Sequence, residues 1–364
     1  MTIPHDFASL QLNRRRFLRY GSLAVGTGML AACSNTASNT AQNETSDTAS
    51  APASASKELD RITLGTSWFA QAEHGGFYQA VANGIYRDHG LDVTIQMGGP
   101  QVNGNQLLMG KAIDFKMGYA IDAINAIKEG LPKVTVAAIF QKDPQGLMAH
   151  PGVGVDSFED LKGKRILLST SAQTTFWPFL KAKYGLDDNQ KGVYTFNVGP
   201  FVADKNLVQQ GYITSEPYAI KQAGGFDPVI LLMADHGYPN YTTTIETRSE
   251  IVQNNPDLVQ RFVDASIKGW YSYLKDPAPG NALIKRDNPE MTDGQLAFGL
   301  EKLKQYGIIT SGDAETKGIG AMTDDRWKEI FTTMSDLGAF PNSVSYKDAY
   351  TLQFVNKGTT AYQS

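Results

Sequence analysis

Side chains able to bind a small molecule stand where predicted strands end or predicted helices begin. Trp68 follows a β-rich run, and Ser169 and Thr170 follow the predicted strand Arg165–Leu168. Glu216 begins a predicted helix. An indole face can stack on a flat ring, hydroxyl groups can donate or accept hydrogen bonds, and a carboxylate can accept them. Residues of these types at these positions are typical of a binding site for a small organic molecule.

Each of these side chains also has an ordinary structural interpretation. Trp68 can pack against the rest of its own domain. Two further candidate side chains have similar alternatives: His74 can cap the helix that it precedes, and Trp177 lies inside a predicted helix, where it can belong to the hydrophobic core. The two hydroxyls can cap a helix, and the Glu216 carboxylate can be stabilised by a helix dipole. Position in the sequence leaves both interpretations open.

Sequence motifs for catalysis or metal binding are absent. There is no glycine-rich phosphate loop, nucleophile elbow or paired-carboxylate motif. The five histidines include no pair at the spacing of a helical metal site, and a single cysteine excludes an internal disulfide and a thiolate metal cluster. The net charge of −4 argues against a nucleic-acid partner, which requires a basic surface. We therefore expect no cofactor and no metal.

Residues 1–33 have the pattern of an export signal. A basic segment that includes Arg14 to Arg16 is followed by a weakly hydrophobic stretch that ends near Leu30. This stretch is too short to span a bilayer, which takes about 18 apolar residues. Paired arginines ahead of Phe-Leu resemble a twin-arginine signal. Asn13 stands where such signals usually have Ser or Thr, so general secretion stays open as an alternative.

Cys33, the one cysteine of the chain, follows Leu-Ala-Ala. This arrangement resembles a lipobox, after which the cysteine carries acyl chains, and two or more chains give stable anchoring. Residues 34–57 are mostly Ser, Thr, Ala, Asn and Gln without apolar periodicity, a composition that cannot bury enough surface to fold. The sequence therefore predicts an exported lipoprotein whose body is joined to the membrane by a flexible tether.

From residue 58 onward, short apolar runs alternate with helical patterns. Leu91–Met97 and Val134–Phe140 are predicted strands, and Phe77–Asp88 is a predicted helix. A second alternating set follows, with a predicted helix at Ala203–Gln210 and a predicted strand at Tyr212–Ser215. The chain is mostly helical after residue 256. This order predicts an α/β fold with mainly parallel sheets flanked by helices.

Short motifs in this region carry a resemblance to a known family. The motifs are Ser67-Trp68-Phe69, Glu73-His74-Gly75-Gly76-Phe77-Tyr78, Gly84-Ile85-Tyr86, Gly90-Leu91-Asp92-Val93, Phe158-Glu159-Asp160-Leu161-Lys162-Gly163-Lys164 and Glu216-Pro217. They resemble the NMT1/THI5-like solute-binding proteins, a family that includes binders of nitrate, sulfonate, taurine and thiamine pyrimidines. The resemblance runs from about residue 61 to about residue 247.

The resemblance implies a bilobed, type II periplasmic-binding-protein fold with a ligand cleft between the lobes. Lobe 1 would comprise residues 58–148 and 242–364, and lobe 2 residues 149–241. The chain would cross between the lobes near Leu147–His150 and near Tyr241–Thr247, and these crossovers would act as hinges. Ligands in such sheets bind at the carboxyl ends of strands.

The resemblance also implies a ligand class and a set of site residues. The expected ligand-binding residues are Trp68, His74, Tyr119, Gln141, Ser169, Thr170, Trp177 and Glu216. Aromatic faces, amides and one acid suit a flat heteroaromatic ring of the thiamine-pyrimidine type, whereas an oxyanion would require Arg or Lys. Nitrate, sulfonate, taurine and riboflavin remain alternative ligands.

A member of this family is expected to be a monomer that delivers its ligand to an ABC permease and ATPase at the outer face of the membrane or in the periplasm. A sensory lipoprotein is an alternative. An enzyme is another, because one branch of the family synthesises the thiamine pyrimidine. That branch carries a cysteine-rich motif, which this chain lacks because Cys33 is its only cysteine. Binding rather than catalysis is therefore expected.

Overall fold

The protein is described by a computed structural model that covers residues 58–99 and 102–362. The predicted signal peptide, Cys33 and the predicted tether lie outside these residues.

The described residues form ten strands that lie in two sheets. The strands are β1 (Asp60–Gly65), β2 (Leu91–Gln96), β3 (Phe115–Tyr119), β4 (Lys133–Phe140), β5 (Gln145–Ala149), β6 (Arg165–Leu168), β7 (Lys191–Val193), β8 (Leu207–Tyr212), β9 (Val229–Leu232) and β10 (Thr242–Arg248). The first sheet has the order β2-β1-β3-β10-β4, and the second has the order β7-β6-β8-β5-β9. We call the first sheet with its helices the first lobe, and the second sheet with its helices the second lobe.

Helices cover both sheets. They are α1 (Gly75–Ala82), α2 (Ile85–Asp88), α3 (Gly104–Met109), α4 (Ala120–Lys128), α5 (Trp177–Tyr184), α6 (Gly199–Ala203), α7 (Glu216–Gly224), α8 (Ser249–Asn254), α9 (Pro256–Lys275), α10 (Ala278–Asp287), α11 (Asp293–Gln305), α12 (Ala314–Lys317) and α13 (Asp324–Asp336). Because helices pack against it, β4 is buried along its whole length. Among the residues described, no helix is both long and apolar enough to cross a membrane.

One strand in each sheet runs antiparallel to the other four. In the first sheet this strand is β10, and in the second it is β5. Strand β5 follows β4 after only four residues and runs antiparallel to both of its neighbours, β8 and β9. The predicted α/β fold of two sheets flanked by helices is confirmed, and these two antiparallel strands make each sheet mixed.

The chain passes from the first sheet to the second through residues 141–144 and returns through residues 233–241. We call these the crossing segments. The first predicted crossover, Leu147–His150, lies later in the chain than residues 141–144, and the second, Tyr241–Thr247, begins at the last residue of the returning segment. Leu147 lies inside β5, paired with Gln210 and Leu231, and Thr247 lies inside β10, paired with Phe115 and Val134. Both residues are held in strand ladders, so the chain does not cross between the sheets at these two positions.

The predicted helix at Ala203–Gln210 is wrong. Helix α6 ends at Ala203, and β8 follows at Leu207–Tyr212. The glutamines of this segment suit a helix by propensity, but Gln209 and Gln210 are buried in the second sheet. The Gln210 Oε1 accepts a hydrogen bond from the Ser169 backbone N–H at 2.6 Å. Tertiary pairing therefore overrides the local preference.

The start of α1 is fixed by its contact with α9. A Cβ at Gly75 would lie 2.1 Å from the Tyr273 ring, and a Cβ at Gly76 would lie 2.2 Å from the Trp270 indole. Only glycine permits this close approach. The packing of these two aromatic side chains thereby sets the position of Glu73 and His74, which immediately precede the helix.

Candidate functional site

Trp68 of the first lobe lies directly against Phe196 of the second lobe. Their ring centroids are 3.8 Å apart and the planes are inclined at 41°. Phe69 lies 5.1 Å from Trp68, and Tyr194 lies 4.8 Å from Phe196, so four rings form what we call the aromatic cluster. Trp68 follows β1 and Phe196 follows β7. The cluster thus lies beyond the carboxyl ends of parallel strands, where α/β sheets bind ligands.

Phe196 has an unusual backbone conformation, with φ of +62°. This left-handed region costs a residue with a large side chain about 1–3 kcal/mol, and it persists only where the surroundings enforce it. Such conformations concentrate at ligand sites and switches. This conformation therefore indicates a functional role for Phe196.

A pair of tyrosines forms a second contact between the lobes. Tyr212 ends β8 and Tyr119 ends β3, and the Tyr212 hydroxyl donates to the Tyr119 hydroxyl at 3.0 Å. Burial raises the pKa of both phenols, so both are neutral hydrogen-bonding groups.

The Glu216 carboxylate lies beside these aromatic residues at the start of α7. Its Oε2 accepts a hydrogen bond from the Tyr212 backbone N–H at 2.7 Å, and its Oε1 accepts one from the Tyr194 hydroxyl at 3.1 Å. A Cβ at Gly211 would lie 2.7 Å from the Glu216 side chain, so glycine leaves the space that this side chain fills. Burial, with a smaller contribution from the nearby Glu73, raises the pKa of Glu216 to about 7 despite these hydrogen bonds.

Glu73 forms the third contact between the lobes. Its carboxyl group accepts a hydrogen bond from the Thr214 hydroxyl, which follows β8 in the second lobe. Glu73 is 2% exposed, and burial raises its pKa. Two carboxyl groups with raised pKa values, Glu73 and Glu216, therefore lie at the junction of the lobes.

A further buried carboxylate connects the two crossing segments. Asp143 Oδ2 accepts a hydrogen bond from Asn240 Nδ2 at 3.0 Å, and Oδ1 accepts one from the Gln145 backbone N–H at 2.9 Å. Burial raises the pKa of Asp143 to about 6. The donors to Glu73, Asp143 and Glu216 are all neutral groups, so this region favours ligands that carry hydrogen-bond donors or positive charge.

Three of the residues predicted from the sequence come together here: Trp68, Tyr119 and Glu216. His74 is adjacent to Glu73 and is buried, and burial lowers its pKa to about 3, which keeps the ring neutral. Its Nδ1 makes no hydrogen bond within the described part of the chain.

Ser169 and Thr170 lie at the end of β6. Ser169 is buried, and its hydroxyl bonds to the Ser171 hydroxyl at 3.0 Å and to the Ala172 N–H at 3.4 Å, which are local capping contacts. Thr170 is exposed.

Gln141 and Trp177 line two other cavities. Gln141 borders a cavity of about 310 Å³ together with Tyr241. Trp177 donates from Nε1 to Asp188 Oδ1 at 2.7 Å and borders a cavity of about 480 Å³ between α5 and residues 337–339. The structure does not bring these two side chains into the aromatic cluster.

Sequence reasoning missed the partners that the second lobe supplies. Tyr194 and Phe196 follow the three-residue strand β7 at alternate positions. Tyr212 ends β8, which begins five residues before the strand predicted at Tyr212–Ser215. Aromatic residues at the ends of short strands were the available signal. Within residues 58–99 and 102–362, no group of three or more His, Cys, Asp or Glu side chains is placed to hold a metal ion.

Comparison with known proteins identifies the family of this chain. The model of the family described as NMT1/THI5 like matches residues 71–279, more than half of the chain. The chain belongs to the NMT1/THI5-like family.

Two relatives of this NMT1/THI5-like protein are named as binding proteins. The riboflavin-binding protein RibY of Chloroflexus aurantiacus is 24% identical over 84% of this chain and 89% of its own length. The formylaminopyrimidine-binding protein of Halalkalibacterium halodurans is 23% identical over 82% of this chain and 91% of its own length. A relative named as an enzyme, the 4-amino-5-hydroxymethyl-2-methylpyrimidine phosphate synthase of Schizosaccharomyces pombe, is 23% identical over 60% of this chain and 67% of its own length.

The fold of this NMT1/THI5-like protein is that of periplasmic binding proteins. The alkanesulfonate-binding protein SsuA from Xanthomonas axonopodis pv. citri, solved bound to MOPS, superposes with a TM-score of 0.59 at 15% identity. The match covers 81% of this chain and 99% of that protein. The predicted bilobed type II architecture is thereby confirmed.

Proposed function

We propose that this protein is the extracytoplasmic solute-binding component of an ABC importer and that it binds a small heteroaromatic nutrient of the thiamine-pyrimidine type between its lobes. The observation that carries the proposal is the contact between Trp68 and Phe196, one aromatic ring from each lobe, beside the Glu216 carboxyl group. The two relatives named as binding proteins support the same class of function.

The aromatic pair suggests how the ligand is held. Ring atoms in van der Waals contact lie about 3.5–4.0 Å apart, so a flat ring held between two others separates them by about 7 Å. The Trp68 and Phe196 centroids are 3.8 Å apart. A ligand that stacks on both rings therefore requires the lobes to part and then to close on it, and contacts from both lobes favour the closed state.

The Glu216 carboxyl group gives the stack its chemical selectivity. With a pKa of about 7, this group can either donate or accept a hydrogen bond near neutral pH. An aminopyrimidine offers an exocyclic amino donor beside a ring-nitrogen acceptor. A carboxyl group can pair with both, and the Tyr119 and Tyr212 hydroxyls supply further partners.

The same features weigh against an oxyanion. A sulfonate or nitrate ligand requires cations or several directed donors, whereas Glu73, Asp143 and Glu216 make the junction of the lobes acidic. Riboflavin is the second candidate ligand, because its ring system also stacks on aromatic side chains and one relative is named for it. An alternative role is that of a sensory protein, which would bind the same ligand in order to signal rather than to transport it.

The first thirty-three residues support export and anchoring through an acylated Cys33. Replacement of Cys33 by Ala should release the protein from the membrane fraction and abolish incorporation of labelled palmitate. Membrane association that survives this substitution would exclude the proposed anchor.

A thermal-shift screen of the purified protein tests the ligand class. The panel contains aminopyrimidines, riboflavin, an alkanesulfonate and nitrate. A ligand at a hundred times its dissociation constant adds about 2.7 kcal/mol to the free energy of unfolding. Stabilisation by the aminopyrimidines supports the proposal, stabilisation by riboflavin supports the second candidate, and stabilisation by the anions alone would overturn the account of the cleft.

A further inference from the structure

Glu73 of the first lobe and Glu216 of the second lobe form a pair of acidic groups across the junction of the lobes. Glu73 is 2% exposed, and its carboxyl group accepts a hydrogen bond from the Thr214 hydroxyl of the second lobe. Glu216 accepts hydrogen bonds from the Tyr212 backbone N–H and from the Tyr194 hydroxyl. Glu73 lies near enough to raise the pKa of Glu216. We call these two groups the carboxyl pair.

Helix α11 closes the junction beside Glu73. It packs against the turn that carries Glu73. A Cβ at Gly299 of this helix would lie 3.2 Å from the Thr214 carbonyl oxygen, so the second lobe also approaches α11 closely. The Gln295 Nε2 donates to the Ser215 Oγ at 3.4 Å, which is a further contact with the second lobe. Separation of the lobes at this point would expose the Glu73 carboxyl group to water.

Among the described residues, the titratable groups that face the carboxyl pair supply no positive charge at neutral pH. Burial lowers the pKa of His74, the residue after Glu73, to about 3, so its ring is neutral. Asp143 of the first crossing segment is an acid and acts on the Tyr212 phenol. Phenols with raised pKa values face the pair from three further elements, and they are Tyr194 after β7, Tyr212 of β8 and Tyr273 of α9.

The charged side chains of the surrounding helices have partners elsewhere or are exposed. Helix α1, which follows Glu73, contains no charged residue. Lys275 at the end of α9 and Lys304 of α11 are exposed. The ion pairs that involve α7, α10 and α11 are Lys221 with Asp227, Lys285 with Asp293, Arg286 with Asp287, and Lys302 with Glu301. The hydrogen-bond donors to the carboxyl pair are therefore neutral groups only.

Ionisation of the carboxyl pair is costly while the lobes are together, because neither a cation nor bulk water compensates the charge. Burial accordingly raises the pKa of Glu73, and it raises that of Glu216 to about 7, against an ordinary value of 4.5. Once the lobes part, water reaches both groups and their pKa values return towards 4.5. The closed protein therefore holds these protons more tightly than the open protein, and a rise in pH favours opening.

We propose that the carboxyl pair is a proton-dependent switch between the closed and the open arrangement of the lobes. With a proton on each group the lobes close, and loss of the protons to solvent opens the empty protein. This inference goes beyond the proposed function, because it concerns the protein without ligand and holds for any molecule that the cleft binds.

Small-angle X-ray scattering of the purified protein without added ligand, from pH 5 to pH 9, tests the switch. The radius of gyration of the wild type should rise with pH, while circular dichroism shows unchanged helix content. Since opening releases up to two protons, the ratio of open to closed protein should rise by up to about a hundredfold per pH unit. Glu73→Gln should reduce this to about tenfold, and the double variant Glu73→Gln, Glu216→Gln should stay compact throughout.

The matched control is the double variant Glu129→Gln, Glu159→Gln, which removes one exposed carboxylate from each lobe and should open as the wild type does. A wild type with the same radius at pH 5 and pH 9 would overturn the proposal. So would a loss of helix content in place of opening, or a Glu73→Gln variant that opens as steeply as the wild type. None of these measurements involves a ligand, so the switch and the proposed function can fail independently.

Discussion

Asp143 and Asn240 join the two segments through which the chain crosses between the lobes. The Asn240 Nδ2 donates to the Asp143 Oδ2 at 3.0 Å, and both residues are almost completely buried. The Asn240 Oδ1 also accepts from the Ile121 backbone N–H, at 3.2 Å, at the start of α4. One amide thus ties both crossing segments to the first lobe.

Replacement of Asn240 by Ala should therefore destabilise the protein. The substitution leaves the Asp143 carboxylate and the Ile121 N–H without these partners, and an unsatisfied buried polar group costs about 1–3 kcal/mol. Urea denaturation measures the loss in the free energy of unfolding. Asn189→Ala, at an exposed position, is the control and should change this free energy by less than about 0.5 kcal/mol. Equal stability of the two variants would show that the Asp143–Asn240 contact is dispensable.

A buried charge network in the first lobe yields a second prediction. The Glu246 Oε2 lies 3.1 Å from the Lys116 Nζ and 2.5 Å from the Lys133 Nζ, and all three side chains are buried. Asp122 contacts the same two lysines. Glu246→Gln removes one charge and leaves two buried ammonium groups with one carboxylate, which should cost about 3–5 kcal/mol.

The control is Glu250→Gln, because the Glu250 carboxylate is about half exposed. It pairs with the exposed Lys111 and with Arg248, which keeps Asp114 and two backbone carbonyls as partners. An exposed pair contributes less than about 1 kcal/mol. Chemical denaturation of both variants gives the comparison. A loss for Glu246→Gln as small as that for Glu250→Gln would contradict the structural role assigned to the network.

Glu216 should make stability depend on pH. Its pKa is about 7 in the folded protein against an ordinary value of 4.5, because burial disfavours the charged form. The folded state therefore holds this proton more tightly than the unfolded state. The resulting stabilisation is complete below pH 4.5 and is lost as the pH rises through 7.

The free energy of unfolding of the wild type should accordingly fall from pH 5 to pH 8 by more than that of Glu216→Gln, which has no proton to lose at this position. Glu159→Gln, at an exposed position of the second lobe, should keep the pH dependence of the wild type. If Glu216→Gln also keeps it, the carboxyl group is not buried as the structure has it.

The sequence was sufficient for the fold class because the alternation of apolar runs and helical patterns reports burial directly. The position of Trp68 after β1 followed from the same pattern, and so did that of Glu216 at the start of α7. The first crossover was predicted too late in the chain, at Leu147–His150, because the short strand β5 was not recognised, whereas the second prediction begins at Tyr241, where the returning segment ends. Only the pairing of β5 with β8 and β9 shows which sheet this strand joins.

The partners across the cleft could not be predicted in this way. Phe196 meets Trp68 over a separation of 128 residues, and its left-handed backbone is a property of the folded chain. The glutamines of β8 led to the prediction of a helix where the structure has a strand, so the position of Tyr212 at the end of that strand was not predicted. Gln141 was predicted from its residue type, but two backbone carbonyls hold its amide nitrogen, and the residue borders a cavity apart from the aromatic cluster.

The most direct test of a heteroaromatic ligand between the lobes is the affinity of Trp68→Ala for 4-amino-2-methylpyrimidine ligands, measured by titration calorimetry. Stacking on an aromatic side chain contributes about 1–3 kcal/mol, so the variant should bind roughly ten- to a hundredfold more weakly than the wild type. Trp177→Phe, which alters the cavity between α5 and residues 337–339, should bind these ligands with the affinity of the wild type. Unchanged affinity in Trp68→Ala, or a wild type that binds only sulfonate or nitrate, would contradict the proposed function.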